Sequence, residues 1–192
     1  MISPGACLSG LWLSWIVVWL FAARVTPGTV VKRSATARVV YSGLMLGSAL
    51  LLILQPRHFG SLLLRTVVPD SRSIAWCGVF AVAAGLAFAS WARVELGRFW
   101  TSAPSIKAEH DLIRTGPYAL TRHPIYTGLL LAVAATTLLR GTIAALGGLG
   151  LFAIALMLKI QEEERLLVSH FGDAYRSYQA EVPAIFPWFG IR

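Results

Sequence analysis

Long stretches without a charged side chain alternate with short polar ones along this chain. Met1 to Ala23, Val39 to Pro56 and Ser73 to Ala92 are uncharged, as are Pro124 to Leu139 and Gly141 to Leu158. A helix that crosses a bilayer needs roughly 20 apolar residues, with about 17 tolerated. The first three runs meet that and predict helices over residues 6–23, 39–54 and 74–92. Only Arg140 separates the last two, which predicts a tight hairpin. One helix begins near Pro124 and turns at Arg140-Gly141, and the next returns to about Ile160. Proline suits the first turn of a helix, where its missing N–H has no partner to lose, so Arg122 and His123 stand at the mouth of the fourth helix. Beyond it, Leu167, Phe171, Tyr175, Tyr178 and Val182 recur at steps of three and four. They predict an amphipathic helix over residues 161–182, with Gly172 as a candidate break. The expected fold class is all-α: a multi-pass bundle of about five membrane helices, the last two a tight hairpin, plus a C-terminal amphipathic helix on the cytoplasmic side. The expected organisation is a single membrane domain over residues 1–192, with three membrane helices in 1–92 and a polar loop, the hairpin and the C-terminal segment in 93–192.

Composition supports the membrane reading. Hydrophobic residues make up 56% of the chain and charged residues 14%, against about 25% charged in a soluble domain. The first run has no basic residue ahead of it and is long for a signal peptide, so it is expected to stay as a helix. Gly43 and Gly47 in the second helix have the spacing that lets two helices approach closely. The two cysteines, Cys7 and Cys77, sit inside apolar runs and offer neither a disulfide framework nor a zinc spacing.

The net charge of +8 changes the picture only through its distribution. With the N-terminus outside and the segments taken alternately, 13 of the 17 basic residues fall on the inner side, as the positive-inside rule requires. The basicity follows from topology, and no nucleic-acid partner is needed to explain it. The same argument puts the C-terminus in the cytoplasm, at the inner membrane of a bacterium or the endoplasmic reticulum of a eukaryote.

A hairpin with so short a turn brings its two free ends together on one side of the membrane. Tyr118, Arg122, His123 and Tyr126, at the mouth of the fourth helix, therefore face Lys159, Glu162, Glu163 and Glu164, where the fifth helix leaves. The preceding loop adds His110 and Asp111. Three of the nine acidic residues are consecutive there. They read either as a solvated charge run or as a carboxylate held for a cationic ligand, with its neighbours paired to Arg122, Arg165 or Lys159. His123 and the two tyrosines read either as interfacial anchors or as site residues. No metal site is expected, since His110 and His123 have no cysteine near them.

The stretch HDLIRTGPYALTRHPIYTG (residues 110–128), followed after the hairpin by EEERLLVSHFGDAYRSYQAEVPAIFP (residues 162–187), resembles the isoprenylcysteine carboxyl methyltransferase family, and the likeness extends upstream to LGRFWT (residues 96–101). The resemblance implies a membrane-integral enzyme that uses S-adenosyl-L-methionine and takes a lipophilic substrate sideways from the bilayer, with residues 93–192 as its catalytic half. It implies cofactor contacts at His110, Asp111, Leu112 and Ile113, at Tyr118, at His123, Pro124, Ile125 and Tyr126, and at Glu163. Glu162 is the alternative carboxylate for the last contact and a candidate catalytic group. The family's substrate-side arginine aligns with Lys159, a departure, because lysine is a point charge without a bidentate fork. Arg122 and Lys159 are the cations available to hold an anionic acceptor. Methyl transfer from a sulfonium is an in-line displacement, so catalysis is mainly positioning. A carboxylate acceptor is already ionised and needs no base.

Phospholipid N-methyltransferases share much of this pattern, and an amine acceptor would need a base such as His123 or a glutamate. A sterol-reductase-like enzyme with NADPH and a non-catalytic membrane scaffold complete the alternatives. The absence of charge within the predicted spans disfavours a transport path.

Overall fold

The computed structural model describes residues 3–23, 35–54, 62–97 and 112–185. Six α-helices account for most of them: α1 Pro4–Ala23, α2 Ala35–Ile53, α3 Arg72–Leu96, α4 Pro124–Arg140, α5 Ile143–Phe171 and α6 Asp173–Glu181. A 3-10 turn over Gly116–Ala119 precedes α4. The bundle is all-helical as expected, with one isolated bridge between Thr66 and Thr142 among the described residues. α1, α3 and α5 are long and apolar enough to cross a membrane, while α2 and α4 carry the shorter apolar stretches Val39–Ile53 and Pro124–Arg140.

α5 departs from the expected boundary. It runs unbroken for 29 residues, about 44 Å at 1.5 Å per residue, well beyond the ~30 Å of a bilayer core. Its charge-free part ends at Leu158, and the remainder, from Lys159 to Phe171, carries the charged residues. The break falls at Gly172, whose φ of 55° is a backbone conformation that glycine adopts without strain. The expected amphipathic segment is thus split between the end of α5 and α6. Tyr175 and Tyr178 of its apolar stripe are buried, and Leu167, Phe171 and Val182 are half-buried.

The hairpin turn is closed by local chemistry. Gly141, at φ 63°, follows Arg140 in the left-handed conformation and returns its N–H to the Thr137 carbonyl. Thr142 then caps α5, its hydroxyl accepting from the Ala145 N–H at 3.2 Å. The loop before α3 lies over this turn, with Val67 N–H donating to Gly141 O at 2.7 Å and Ala144 N–H to Leu63 O at 2.9 Å.

Small residues set the helix crossings. Where α3 meets α4, a Cβ added at Gly128 would lie 2.4 Å from the Gly85 carbonyl oxygen, so the two backbones touch. Val82, Leu86, Ala132 and Ala135 fill the core around that crossing together with Leu8 of α1. In α2, Gly47 does face Leu151 of α5, but Gly43 faces open space. The closer approach there comes from Gly148 of α5 against Ser48 and Leu52. α1 is held by two indole N–H groups, Trp12 to the Thr136 hydroxyl and Trp15 to the Ser90 hydroxyl, each at 3.0 Å. Much of the rest of α1 is exposed apolar surface such as Leu13, Val18 and Phe21, which suits acyl chains rather than water.

Candidate functional site

The hairpin brings the mouth of α4 against the charged end of α5, as its run lengths require. Arg122 is buried, its side chain 4% exposed. Its Nε donates to Glu164 Oε1 at 2.8 Å and its Nη2 to Glu164 Oε2 at 3.2 Å, a bidentate pair. Its Nη1 donates to the Gln179 carbonyl at 3.1 Å and to the Val182 carbonyl. Each guanidinium nitrogen is thereby engaged, joining the entry to α4 with α5, α6 and the segment after α6. Among the cations expected to hold an acceptor, Lys159 is placed differently: its Nζ lies over the Tyr126 ring, 5.0 Å from the centroid.

His123 sits between two carboxylates. Its Nε2 is 3.0 Å from Glu164 Oε1 and its Nδ1 is 3.6 Å from Glu163 Oε2. A carboxylate near each ring nitrogen favours the imidazolium form, in which both carry protons. Burial opposes that charge, but the hydrogen bonds and charges of Glu163 and Glu164 outweigh it and raise the histidine above its ordinary value of 6.5. The Tyr126 ring stacks on the imidazole at 5.7 Å and 12°, and its hydroxyl donates to Glu163 Oε1 at 2.5 Å.

Tyrosines line the surrounding wall. Burial pushes the Tyr118 and Tyr175 phenols up, and Tyr178 up to about 12, so all three remain neutral donors. Tyr178 donates to the Tyr118 carbonyl at 2.5 Å. Tyr175 donates to Glu164 Oε1 at 3.1 Å. Pro117 and Tyr118 of the 3-10 turn are buried, and Thr115 anchors that turn to the end of α3 through Glu95 at 2.6 Å.

The segment after α6 crosses the α4 mouth. Arg122 N–H donates to Pro183 O at 2.9 Å and His123 N–H to Ala184 O at 3.0 Å. The Thr121 and Thr127 hydroxyls donate to Ala184 O and Ile185 O at 2.7 and 2.6 Å. The bond from His123, the N-cap of α4, satisfies an N–H group that a helix start otherwise leaves unpaired.

Of the residues singled out from the sequence, Tyr118, Arg122, His123, Pro124, Tyr126, Lys159 and Glu163 converge on this cluster. Ile125 is half-buried beside it, and Leu112 and Ile113 lead half-buried into the 3-10 turn. His110 and Asp111 lie outside the described residues. The carboxylates that touch Arg122 and His123 are Glu163 and Glu164; Glu162 is half-buried one position earlier. Glu164 was expected at this face without a role of its own and Tyr175 only as part of an apolar stripe; Gln179, Thr121 and Thr127 were not anticipated. A glutamate paired to Arg122 was expected, but which of three consecutive glutamates faces α4 depends on the rotation of α5. Among the described residues no three His, Cys, Asp or Glu side chains gather in a way able to hold a metal ion.

Comparison with known proteins converges on the same region. The isoprenylcysteine carboxyl methyltransferase family matches residues 77–169. A protein-S-isoprenylcysteine O-methyltransferase of Schizosaccharomyces pombe is 34% identical over 104 residues, covering 51% of this chain and 43% of that protein. The cobalt-zinc-cadmium resistance protein CzcN of Cupriavidus metallidurans is 32% identical over 114 residues, 58% of this chain and 51% of that protein. A methanethiol S-methyltransferase of Mycobacterium tuberculosis is 38% identical over 73 residues, 37% of this chain and 28% of that protein. The chain thus spans about half or less of the length of these relatives.

Proposed function

The segment 77–169 belongs to the isoprenylcysteine carboxyl methyltransferase family, and on that premise we propose that the protein is an integral membrane enzyme that moves a methyl group from S-adenosyl-L-methionine to a lipophilic, anionic acceptor. The observation that carries the reading is the cluster of His123, Tyr126, Lys159 and Glu163, which stands where the apolar hairpin ends and within the matched segment. A carboxylate, a π-face and a cation meet there at the edge of a hydrocarbon-facing helix pair.

These residues fit the proposed donor. Glu163 supplies a carboxylate for an α-ammonium or a ribose hydroxyl. The Tyr126 face already accommodates the Lys159 ammonium at 5.0 Å, and a sulfonium is a cation of the same kind. The bound donor supplies an activated methyl group. The chain's own task is then to hold the donor's polar ends, exclude water and aim the acceptor. Glu163 is held by the Tyr126 hydroxyl at 2.5 Å, with the His123 ring facing its other oxygen at 3.6 Å. Lys159 is the cation assigned to the acceptor, because Arg122 is engaged by Glu164 and by backbone.

Lysine as a compact point charge suits either a carboxylate or a thiolate. The S. pombe relative favours the carboxylate, and the likeness to a methanethiol S-methyltransferase keeps a thiol acceptor as the second reading. Thermal unfolding of the detergent-purified protein with S-adenosylhomocysteine, and separately with NADPH, tests the donor. A ligand at ~100 times its dissociation constant adds about 2.7 kcal/mol. We expect a shift with S-adenosylhomocysteine alone; a shift with NADPH alone, or none with either, overturns the reading. Methyl transfer from labelled donor to an N-acetyl-S-prenylcysteine and to an alkanethiol then separates the two acceptor classes.

A further inference from the structure

Glu163 and Glu164 are neighbours on α5, and their surroundings divide them. Glu164 Oε1 accepts from Arg122 Nε, His123 Nε2 and the Tyr175 hydroxyl, and Oε2 accepts from Arg122 Nη2 and Gln179 Nε2. A carboxylate offers about four lone-pair directions, so Glu164 is saturated by protein donors drawn from the segment entering α4 and from α6. Glu163 accepts one short bond, from Tyr126 on Oε1, and its Oε2 stands 3.6 Å from His123 Nδ1, beyond ordinary hydrogen-bond reach.

We propose that Glu164 is a positioning residue: it fixes the His123 ring through Nε2 so that Nδ1 is aimed at Glu163, and so leaves Glu163 as the carboxylate presented to the ligand. The assignment of Glu163 to the ligand rests on the function proposed above; the action of Glu164 on His123 does not. The imidazole lies among charged or titratable groups from every element around it: Arg122 just before α4, Tyr126 of α4, Lys159, Glu163 and Glu164 of α5, Tyr175 of α6, and Tyr118 of the 3-10 turn. Of these, Glu164 is the one in hydrogen-bond contact with the ring.

Two readouts test the idea. The chain has four histidines, so the ring nitrogens of histidine-labelled protein in detergent are few, and His123→Gln identifies the signal of interest. Glu164→Gln removes the charge and is expected to lower the His123 titration midpoint by about one unit or more. Tyr175→Phe leaves the carboxylate with one donor fewer and a stronger hold on His123, and is expected to raise the midpoint by a few tenths of a unit. A role confined to packing moves neither. In the second readout, Glu164→Gln weakens S-adenosylhomocysteine binding by roughly tenfold, the low end of what losing an orienting partner does at metal sites, and Glu164→Asp restores most of it. A folded Glu164→Gln protein with an unchanged His123 midpoint overturns the proposal. Should Glu164→Gln fail to fold, an unchanged midpoint in Tyr175→Phe does the same. Absence of S-adenosylhomocysteine binding in the wild-type protein overturns the methyl-donor reading instead, while the histidine titration still decides the role of Glu164.

Discussion

Two carboxylates around one imidazole make His123 the residue whose charge the fold controls. Its folded pKa lies above 6.5 because Glu163 and Glu164 outweigh the burial that opposes its charge. A raised histidine contributes stability that is fully present below its unfolded value and is lost as pH rises through the folded one. The difference in melting temperature between the wild-type protein and His123→Gln is therefore expected to be widest near about pH 6 and to narrow toward about pH 9. A difference that widens with pH would show that the ring is held neutral. Arg122 gives a second, larger effect. Its side chain is 4% exposed and paired to Glu164 at 2.8 Å. Arg122→Met leaves that carboxylate short of its main partner, and breaking a buried pair in this way costs about 3–5 kcal/mol. Denaturant unfolding of the two proteins in the same detergent measures it. Arg122→Lys, which keeps the charge without the fork, should fall between. The Arg-His-Pro-x-Tyr run made the mouth of α4 legible in the sequence, because proline placement and hairpin length together fix which side chains stand there. The partner glutamate was not legible: consecutive positions on a helix differ by 100°, and only the packing of α5 against α4 selects Glu163 and Glu164.

Charge-free runs located the helices to within a few residues except at the end of α5, but they said little about which faces meet. Gly43 and Gly47 were singled out by spacing alone, and the structure uses only Gly47; the tightest backbone contact, Gly85 with Gly128, joins two helices whose sequences show no shared signal beyond small residues. Alanine substitution separates the cases. Gly128→Ala sets a Cβ 2.4 Å from a backbone oxygen that has no rotamer to yield, so α3 and α4 must move apart. We expect a loss of about 1–3 kcal/mol. Gly43→Ala meets nothing within 4 Å, and replacing a mid-helix glycine there should be neutral or stabilise by up to about 1 kcal/mol. Unfolding by a denaturing detergent in mixed micelles reads both; equal effects at the two positions would mean the α3–α4 crossing is looser than described. The length of α5 belongs to the same scale. The stretch from residue 161 was expected to continue as an amphipathic helix with Gly172 as its candidate break; no helix breaker stands between Lys159 and Gly172, and the helix runs on until that glycine supplies the positive φ.

At the scale of the molecule, a site at the end of a helical hairpin needs something to close it on the polar side, and here that element is the segment after α6. Residues 182–185 receive five hydrogen bonds from the α4 mouth: two from the Arg122 and His123 N–H groups, two from the Thr121 and Thr127 hydroxyls, and one from the Arg122 guanidinium. The helices beneath are held by other means, through the Gly85–Gly128 crossing, the Trp12 and Trp15 indoles and the capped turn at Gly141-Thr142. Ending the chain after Glu181 should therefore separate the two functions. Helix content by circular dichroism is expected to stay close to that of the full chain, since none of the helix–helix contacts among the described residues is removed. The start of α4 loses its partners, Arg122 loses one of its two carbonyls, and His123 is no longer tied at its backbone. The thermal shift with S-adenosylhomocysteine should then fall to a small fraction of the full-length value. Retention of the whole shift would place the ligand away from the α4 mouth. Collapse of helix content would show instead that the segment holds the bundle together, and that the polar end of the hairpin cannot form before the chain has returned to cover it.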